Sequence, residues 1–568
     1  MKAHQRYTAP RPISLPDRTW PGNVMSKAPR WLSTDLRDGN QALSNPMSPA
    51  RKLAMFELLV KIGYKEIEVG FPAASQDDFD FVRLLIGQDR IPDDVRISVL
   101  VPARDELIRR TMQSLAGARG ATIHLYNATA PLFRRVVFGI GRRECKSLAV
   151  QGTELMMKYA GEMLAGCDVG YEYSPEIFNE TEPEFALEVC EAVMDVWGPG
   201  RGREIILNFP STVERSMPNV FADQIEWMSR HLSRRDSVCL SIHPHNDRGT
   251  GVAAAELAVL AGAERIEGCL FGNGERTGNV CLITMGMNLF SHGIDPGIDF
   301  SDIEQIRRTV EHCYEIPVHP RHPYGGDLVF TAFSGSHQDA IKKGFESLER
   351  TAATAAASSG EIGWEMPYLP VDPNDIGRTY EAVIRVNSQS GKGGVAYILK
   401  AWHGLNVPRG MQIEFARIIQ AHTDATRQEI SPAQIWEIFA REYMVQDGLS
   451  WPPEGSSTTA YGEHEVVRAS LYVDGRARHP GGPHTDPVAA IRAMLAPAGV
   501  DVQTVHEHPV TAGPAPAASR VTVYAECRIG DHVMWGAGIE RDPVAAAHAA
   551  VRSAMSRAPS HALDLQPV

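Results

Sequence analysis

The sequence predicts an α/β protein: a (β/α)₈ TIM barrel, followed by a mostly helical linker region and a C-terminal α+β domain with an internal pseudo-repeat. Two observations support the barrel. Between residue 31 and about residue 293, eight short β-rich segments alternate with amphipathic helical segments, and such a barrel takes about 250 residues. Polar and ionisable residues also gather where the predicted strands end, which is where barrel enzymes carry out their chemistry.

Length and composition agree with a barrel enzyme that carries further domains. The chain has 568 residues, of which 43% are hydrophobic and 22% are charged, as in water-soluble globular proteins. Its formal charge of −13 is spread without a basic block, which argues against nucleic acid as a partner. No apolar run is long enough to cross a membrane. We therefore expect a cytoplasmic protein with neither nucleic-acid nor membrane partners.

Residues 1–30 are predicted to form an N-terminal arm. They are rich in proline and polar residues and lack the apolar core of a signal peptide. Two structures fit this composition: a disordered arm, or an extended segment that packs on a partner subunit. The eight cysteines of the chain form no C-x-x-C pair, which is typical of reduced thiols in a cytosolic protein.

The catalytic barrel is predicted over residues 31–300. Ser48 is a good N-cap and Pro49 suits the first position of the first helix. Periodicity alone also allows an open, doubly wound sheet. The predicted strands are 31–38, 66–71, 96–101, 121–127, 168–173, 204–208, 237–243 and 265–271. The predicted helices are 48–62, 77–86, 105–115, 144–164, 184–196, 222–232, 251–261 and 282–290.

Beyond the barrel, residues 301–450 are predicted to form helical linker subdomains, and residues 451–568 a C-terminal domain. A Pro/Gly/Ser-rich stretch at 451–457 separates the two. Asp486-Pro487 and Asp542-Pro543 each follow a strand-like segment and open a helical run. This weak duplication predicts two βαβ-like halves, and such a module more often binds or regulates than catalyses.

The strongest local signal for chemistry is the SIHPHND segment at the end of the seventh strand. Side chains alternate along a strand, so Ser241, His243 and His245 share one face. An isolated H-x-H is more often structural than functional. Its place at a strand end favours a metal site instead, because two imidazoles on one face can bind one cation.

Asp38, at the end of the first strand, supplies the oxygen ligand that such a site needs. The first and seventh strands flank the eighth in a closed barrel, so Asp38 can meet the histidines, and Asn279 after the eighth strand can add an amide oxygen. This set suits Zn²⁺, Mn²⁺ or Mg²⁺. Arg37 could be an ordinary surface ion-pair former. Beside a metal, its planar fork could polarise a substrate carbonyl.

Together these motifs resemble the DRE-TIM metallolyase superfamily, and specifically its long-form 2-isopropylmalate synthases. The similarity extends from about Pro16 to Asp447, with a weaker match in the C-terminal domain. The motifs that carry it are LRDGNQ at 36–41, SPE at 174–176, SIHPHND at 241–247, GNGERTGN at 272–279, SGSHQDA at 334–340 and NSQSGKGG at 387–394.

The resemblance implies a Claisen-type condensation of acetyl-CoA with 3-methyl-2-oxobutanoate and water, which gives 2-isopropylmalate and CoA for leucine biosynthesis. It makes Asp38, His243 and His245 the metal ligands, and Thr212 a hydrogen-bond donor to the oxo-acid carboxylate. It places the base that removes the acetyl proton within a group of three residues, with no ranking among them. They are Glu176, His337 and Tyr368.

The resemblance also implies a homodimer, because His337 and Tyr368 of this family reach the active site of the other subunit. Leu100, His124 and Tyr126 would shape the pocket for the isopropyl group, although such strand residues can equally be barrel packing. A monovalent cation such as K⁺ is a further candidate cofactor.

The C-terminal domain resembles the leucine-binding regulatory domain of the family, so leucine is the expected feedback effector. WGAGI at 535–539 fits the second half of that domain, whereas RHPGGP at 478–483 replaces a longer loop in the first half. Homocitrate and citramalate synthases share the mechanism and differ in the oxo acid that they accept. A catalytically inactive amino-acid-binding protein is the alternative of a different class, and the intact Arg37 and Asp38 argue against it.

Overall fold

The computed structural model describes residues 13–355, 363–380, 383–386 and 392–444, short strands between 457 and 478, parts of 489–496, and residues 500–509 and 520–558. The chain forms two compact units. The first comprises Met1–Val329 and Pro373–Arg378, and the second comprises Phe330–Asp372 and Thr379–Val568. Among the described residues, no helix is both long and apolar enough to span a membrane.

Eight parallel strands of the first unit close into a barrel. Each strand pairs with the next one along the chain, and β8 pairs with β1. The predicted barrel is thus confirmed and the open sheet is wrong. The strands are β1 (Arg30–Ser33), β2 (Glu66–Gly70), β3 (Arg96–Pro102), β4 (Gly120–Ala128), β5 (Asp168–Glu176), β6 (Ile205–Ser211), β7 (Val238–Pro244) and β8 (Arg265–Gly268).

A helix follows each strand. The Ser48 side chain accepts a hydrogen bond from the backbone N–H of Arg51 and Pro49 begins the first helix, as the sequence predicts. The barrel helices are α1 (Pro49–Ile62), α2 (Gln76–Gly87), α3 (Asp105–Leu115), α4 (Arg142–Met163), α5 (Pro183–Trp197), α6 (Pro218–His231), α7 (Gly251–Leu260) and α8 (Leu282–Ser291), with α9 (Ile303–Tyr314) after them.

The first strand is shorter than predicted. It ends at Ser33, and a π-helical turn over Asp35–Gly39 follows it. Buried Asp35 holds this turn, because its carboxylate accepts hydrogen bonds from the Ser33 hydroxyl (2.6 Å), the Leu270 N–H (2.9 Å) and the Tyr314 hydroxyl. Neighbouring side chains of a strand point to opposite faces. The turn removes that restriction, so two adjacent residues can face the same site.

The barrel interior is polar, whereas branched apolar side chains fill most barrels of this type. Fully buried Arg265 forms salt bridges with Glu66 (2.9 Å), Glu172 (3.1 Å) and Glu267 (2.9 Å). Buried charges are costly unless they are paired, so these residues form one compensated network. The buried ionisable residues of the strands include Glu68, His124, Glu172, His243, Arg265 and Glu267.

The described part of the N-terminal arm packs on its own barrel, which neither predicted structure anticipates. Arg18 forms a salt bridge with Asp223 of α6 (2.8 Å), and the indole N–H of Trp20 donates to the same carboxylate (2.8 Å). The backbone N–H groups of Thr19 and Trp20 donate to Glu226, one turn along the helix. Residues 1–12 lie outside the described part of the chain.

The second unit combines helices with an antiparallel sheet. Its helices are α10 (Gly335–Ala355), α11 (Lys392–His403), α12 (Arg409–Thr426), α13 (Pro432–Tyr443) and α14 (Pro543–Ser556). Two short hairpins pair β9 (Ser457–Tyr461) with β10 (His464–Arg468) and β11 (Leu471–Val473) with β12 (Arg476–Arg478), and a three-stranded sheet contains β13 (Val500–Pro509), β14 (Val521–Ile529) and β15 (His532–Glu540).

The better-described half of the C-terminal domain is not the predicted βαβ unit. Its three strands are antiparallel, and α14 follows them and packs on one face of the sheet. The other face, with Tyr524 and Trp535, packs among α11, α12 and α13. Pro543 begins α14 as expected from the sequence. The predicted linker at 451–456, the loop at 479–483, Asp486 and residues 387–391 lie outside the described residues.

Candidate active site

A cavity of about 260 Å³ opens at the carboxyl ends of the barrel strands. Such a position is where catalytic sites of barrel enzymes are built. Nine residues selected from the sequence line it: Arg37, Asp38, Leu100, His124, Tyr126, Glu176, Thr212, His243 and His245. Other lining residues include Gln41, Phe71, Ser174, Asn208, Pro210, Glu275 and Arg276.

Three of these side chains form a candidate site for a divalent cation. One ligand atom from each of Asp38, His243 and His245 lies within 4.8 Å of the others, and all three residues are buried. The Nε2 atom of His243 lies 3.1 Å from Asp38 Oδ2, and the Nε2 atom of His245 lies 3.7 Å from the same oxygen. Two imidazoles and one carboxylate are a common ligand set for Zn²⁺ and other divalent transition metals.

Asn279 lies beside this group, as the sequence predicts. Its Oδ1 atom is 2.8 Å from the Nε2 atom of His243. Its amide nitrogen donates to the backbone oxygen of Asn273 (3.0 Å), and this bond keeps the Oδ1 atom of Asn279 directed toward His243. One nitrogen and two oxygens therefore converge on one point, which suits a positive charge, either the proton of His243 or a bound cation.

Electrostatics in this group also favour a positive charge. Burial opposes protonation of His243, but its hydrogen bonds to Asp38 and Glu267 outweigh burial and raise its pKa to about 10. Burial opposes ionisation of Asp38 as well, yet Arg37 and His243 hold its pKa well below the ordinary range. Burial and the charge of His243 together lower the pKa of His245 to about 4. The ionised carboxylate of Asp38 and the neutral imidazole of His245 are already the forms that bind metals, and a cation would displace the proton that His243 holds here.

Arg37 is fixed between two carboxylates. Its Nε atom donates to Glu68 Oε2 (2.5 Å) and its Nη1 atom lies 3.0 Å from Asp38 Oδ1. The π-helical turn allows this arrangement, because Arg37 and its neighbour Asp38 both line the cavity. Burial disfavours the charged guanidinium, but Glu68 and Asp38 more than offset it and raise the pKa of Arg37. A permanent, oriented positive charge therefore lies at the cavity wall.

His124 also lines the cavity and is held by hydrogen bonds at both ring nitrogens. Its Nδ1 atom lies 2.7 Å from Glu68 Oε1, and its Nε2 atom lies 2.7 Å from the hydroxyl of Ser174. Burial opposes its protonation, but the charges of Glu172 and Glu68 outweigh burial and raise its pKa. Glu68 thus binds Arg37 with one oxygen and His124 with the other.

The ends of β5 and β6 are joined beside the cavity. Ile177 has a positive φ of 58°, which is costly for a β-branched residue, and its N–H donates to the Thr212 hydroxyl oxygen (3.1 Å). Since this hydroxyl accepts from Ile177, its own proton can be donated to a ligand. Glu176 precedes the strained residue. Burial raises the pKa of Glu176, and Arg37 offsets only part of the effect.

His337 and Tyr368 belong to the second unit, where the structure brings them together. Their rings stack with centroids 4.1 Å apart, and Tyr368 is 60% exposed. Tyr368 has a positive φ of 65°, an uncommon conformation for a tyrosine. Exposed aromatic rings in a strained backbone fit a residue that meets a ligand or a second molecule.

The buried acids that support the cavity walls were not predicted from the sequence. Glu68 and Glu267 lie in β2 and β8 and hold Arg37 and His243 respectively. A signal was available, because charged residues within short apolar strand segments are rarely buried unless they are paired. The partner of each acid comes from a different strand, however, and strand register across the barrel is not readable from the sequence.

Two family models match the chain. The HMGL-like model matches residues 28–310, and the alpha-isopropylmalate synthase, post-catalytic domain-like model matches residues 327–400. Similar solved structures include the HMG-CoA lyases of Brucella melitensis and Pseudomonas aeruginosa. Each is 18% identical to this chain, and each match covers 51% of this chain. The match covers 100% of the Brucella melitensis protein with a TM-score of 0.41, and 95% of the Pseudomonas aeruginosa protein with a TM-score of 0.42.

Curated relatives are similar over nearly the whole chain. The 2-isopropylmalate synthase of Streptosporangium roseum is 66% identical over 553 residues, which is 97% of this chain and 94% of the relative. The enzymes of the same name from Thermobifida fusca and Parafrankia sp. are 60% and 58% identical, with at least 97% of both chains covered. The matched stretches cover nearly the whole chain, from the barrel to the C-terminal domain. The chain therefore belongs to the 2-isopropylmalate synthase family.

Proposed function

We propose that the chain condenses acetyl-CoA with 3-methyl-2-oxobutanoate and water to give (2S)-2-isopropylmalate and CoA, the first committed step of leucine biosynthesis. One observation carries the proposal. In a chain 66% identical to a named 2-isopropylmalate synthase, Asp38, His243, His245 and Asn279 converge beside Arg37 at the mouth of the barrel. The protein is accordingly an acyltransferase whose acyl group becomes an alkyl group on transfer.

Asp38, His243 and His245 would hold a divalent cation, with Asn279 as a fourth ligand. The cation would supply Lewis acidity and a chelation point for a 2-oxo acid. Their chemistry does not select among Mg²⁺, Mn²⁺ and Zn²⁺, and K⁺ remains a candidate for a separate monovalent requirement. The Thr212 hydroxyl would donate to the carboxylate of the oxo acid and fix its orientation.

Arg37 would stabilise the charge that develops on the reacting carbonyl. Removal of a methyl proton from acetyl-CoA gives an enolate, which attacks C2 of the oxo acid, and the carbonyl oxygen becomes an alkoxide that takes up a proton. Preorganised donors aimed at such an oxygen are a large source of rate acceleration. Hydrolysis of the thioester then yields a carboxylate, CoA thiol and one proton.

The base that forms the enolate belongs to the group of Glu176, His337 and Tyr368. Glu176 lines the cavity, and its raised pKa brings it closer to neutral pH, where a general base works well. His337 and Tyr368 would act from the second subunit of a homodimer. Leu100, His124 and Tyr126 would surround the isopropyl group, and Leu100 and Tyr126 offer apolar surface for it.

The homodimer is supported by an exposed apolar segment after β4. Leu132, Val136, Val137 and Phe138 are 44%, 66%, 60% and 39% exposed. Contiguous exposed apolar residues commonly mark protein interfaces. We also infer a cytoplasmic location, which the eight unpaired cysteines support.

Leucine is the proposed feedback effector of the C-terminal domain. The support is the antiparallel sheet with α14, in which Trp535–Ile539 lies on β15. A titration of activity with leucine tests this point by itself. Full activity at saturating leucine would remove the effector while leaving the catalytic proposal intact.

The decisive experiment measures thiol release from acetyl-CoA with a panel of 2-oxo acids, with and without a chelator. We expect 3-methyl-2-oxobutanoate to give the highest kcat/KM, since one or two methylenes change binding by about 1–3 kcal/mol. Chelation should abolish turnover and added divalent metal should restore it. A preference for 2-oxoglutarate would indicate a homocitrate synthase, and a preference for pyruvate would indicate a citramalate synthase.

A further inference from the structure

Glu267, on β8, is a fully buried carboxylate whose polar partners include four side chains from three strands. Its Oε1 atom accepts hydrogen bonds from the Ser241 hydroxyl (2.8 Å) and from Arg265 Nη1 (2.9 Å). Its Oε2 atom accepts from Asn208 Nδ2 (3.2 Å) and lies 3.0 Å from Nδ1 of His243. A buried carboxylate with this number of partners is fixed in position and direction.

The contact with His243 determines which ring nitrogen faces the cavity. An ionised carboxylate only accepts hydrogen bonds, so Nδ1 of His243 must donate to Glu267. Its lone pair for a metal is then on Nε2, which faces Asp38 (3.1 Å) and Asn279 (2.8 Å). A carboxylate behind a metal-bound imidazole fixes the ring and increases its basicity as a ligand.

His245 lacks this support. Its Nδ1 atom is buried and has no hydrogen-bond partner among the described residues. Its ring stacks on that of His243 with a centroid distance of 5.2 Å, which restrains the ring plane but not the choice of tautomer. The two imidazoles are therefore unequal, although they are only two residues apart on the same strand end.

We propose that Glu267, held by Arg265, is a positioning residue that makes His243 the anchored ligand of the divalent cation and leaves His245 as the weaker one. The inference rests on the proposed function only in taking Asp38, His243 and His245 as the cation ligands. Glu267 does not touch the substrate cavity. It acts on the cation through the imidazole that it orients.

The test compares Glu267→Gln with Glu66→Gln in the full-length protein. Both variants remove a carboxylate that pairs with Arg265, but only Glu267 contacts His243. The dissociation constant for Mn²⁺ is measured without substrates, from the electron paramagnetic resonance signal of the free ion. We expect Glu267→Gln to weaken Mn²⁺ binding by roughly 10- to 100-fold and Glu66→Gln to leave it within about twofold.

A second comparison keeps the proposal testable if Glu267→Gln does not fold. His243→Ala should lose Mn²⁺ binding altogether, whereas His245→Ala should retain measurable binding. Equal dissociation constants for those two variants would overturn the proposal, as would wild-type Mn²⁺ affinity in folded Glu267→Gln. Because no substrate is present, failure of thiol release with every oxo acid would end the proposed function and leave this metal-binding result standing.

Discussion

Arg37 binds two acidic neighbours, and its proposed role is to stabilise the charge on the reacting carbonyl. Only arginine has the donors for both. The guanidinium binds Glu68 and Asp38 through different nitrogen atoms while it lines the cavity. Lysine carries its three donors on a single nitrogen at the end of a flexible chain, so it cannot reproduce the fixed planar spread by which the guanidinium meets two carboxylates and a substrate.

We therefore expect Arg37→Lys to lower kcat by roughly 100- to 1000-fold, as for the loss of one donor to a developing oxyanion. The KM for the oxo acid should change much less, because the proposed hydrogen bond from Thr212 to the carboxylate would remain. Steady-state kinetics with matched metal content measures both constants. Arg201→Lys, at an exposed arginine between α5 and β6, is the control and should behave as wild type. An unchanged kcat for Arg37→Lys would remove Arg37 from the reaction.

Glu176 gives a prediction for pH dependence. Burial raises its pKa above the ordinary value of 4.5, and Arg37 only partly reverses the shift. A base must be ionised, so kcat/KM should rise with pH through this raised pKa, and the acid limb should lie above the range of an ordinary glutamate. Lowering the pH protonates Glu176 and removes activity.

Measurement of kcat/KM against pH at saturating metal tests this expectation. Glu176→Gln should lose most of the activity together with that limb, whereas Glu184→Gln, an exposed acid on the following helix, should keep both. An acid limb that persists unchanged in Glu176→Gln would assign it to another group.

At the scale of elements, alternation and strand-end polarity were enough to predict the barrel, eight strands and most residues of the cavity. The first strand was predicted too long because no glycine or proline interrupts the chain between Ser33 and Asp38. What ends it is a long-range contact: Asp35 binds Leu270 and Tyr314, which are more than two hundred residues away. The buried acids Glu68 and Glu267 were not predicted for the same reason, because each binds a residue from another segment of the barrel.

The C-terminal sheet shows how a glycine can decide the packing of a helix. A β-carbon on Gly536 would lie 2.0 Å from the backbone oxygen of Ala550 in α14, and one on Gly538 would lie 2.1 Å from that of Ala546. Neither backbone atom can move without displacing the helix. The two glycines therefore permit α14 to lie directly against β15.

Gly536→Ala should destabilise the packing of α14 on the sheet by about 1–3 kcal/mol or more, as overpacking does elsewhere. Hydrogen exchange of α14 measures the effect, and thiol release in the absence of leucine should be retained. Gly161→Ala in α4 is the opposite case, because nothing lies within 4 Å of its added β-carbon. That variant should be neutral or up to about 1 kcal/mol more stable. Unchanged exchange in Gly536→Ala would contradict the close approach.

At the scale of the whole molecule, charge is distributed to suit anionic substrates. The chain carries a formal charge of −13, yet Arg37 and Arg276 line the cavity beside a cluster that favours a cation. A net negative surface keeps an enzyme soluble, and a local positive site selects its ligands. If His337 and Tyr368 act from a second subunit, as proposed above, their catalytic contributions depend on association with a second chain.

Dimer formation gives the last prediction. If the segment after β4 meets a second subunit, Val136→Glu should place a charge in an apolar interface and shift the protein toward monomers, because burial of an unpaired charge costs several kcal/mol. Val24→Glu is a matched control, since Val24 is 86% exposed and lines a pocket with Glu204 and Cys239 near the opposite, amino-terminal ends of the strands. Sedimentation equilibrium measures the association constant.

We expect Val136→Glu to lose activity at low protein concentration and regain it as concentration rises, whereas Val24→Glu should remain dimeric and active. A fully dimeric Val136→Glu variant would place the interface on another surface of the chain.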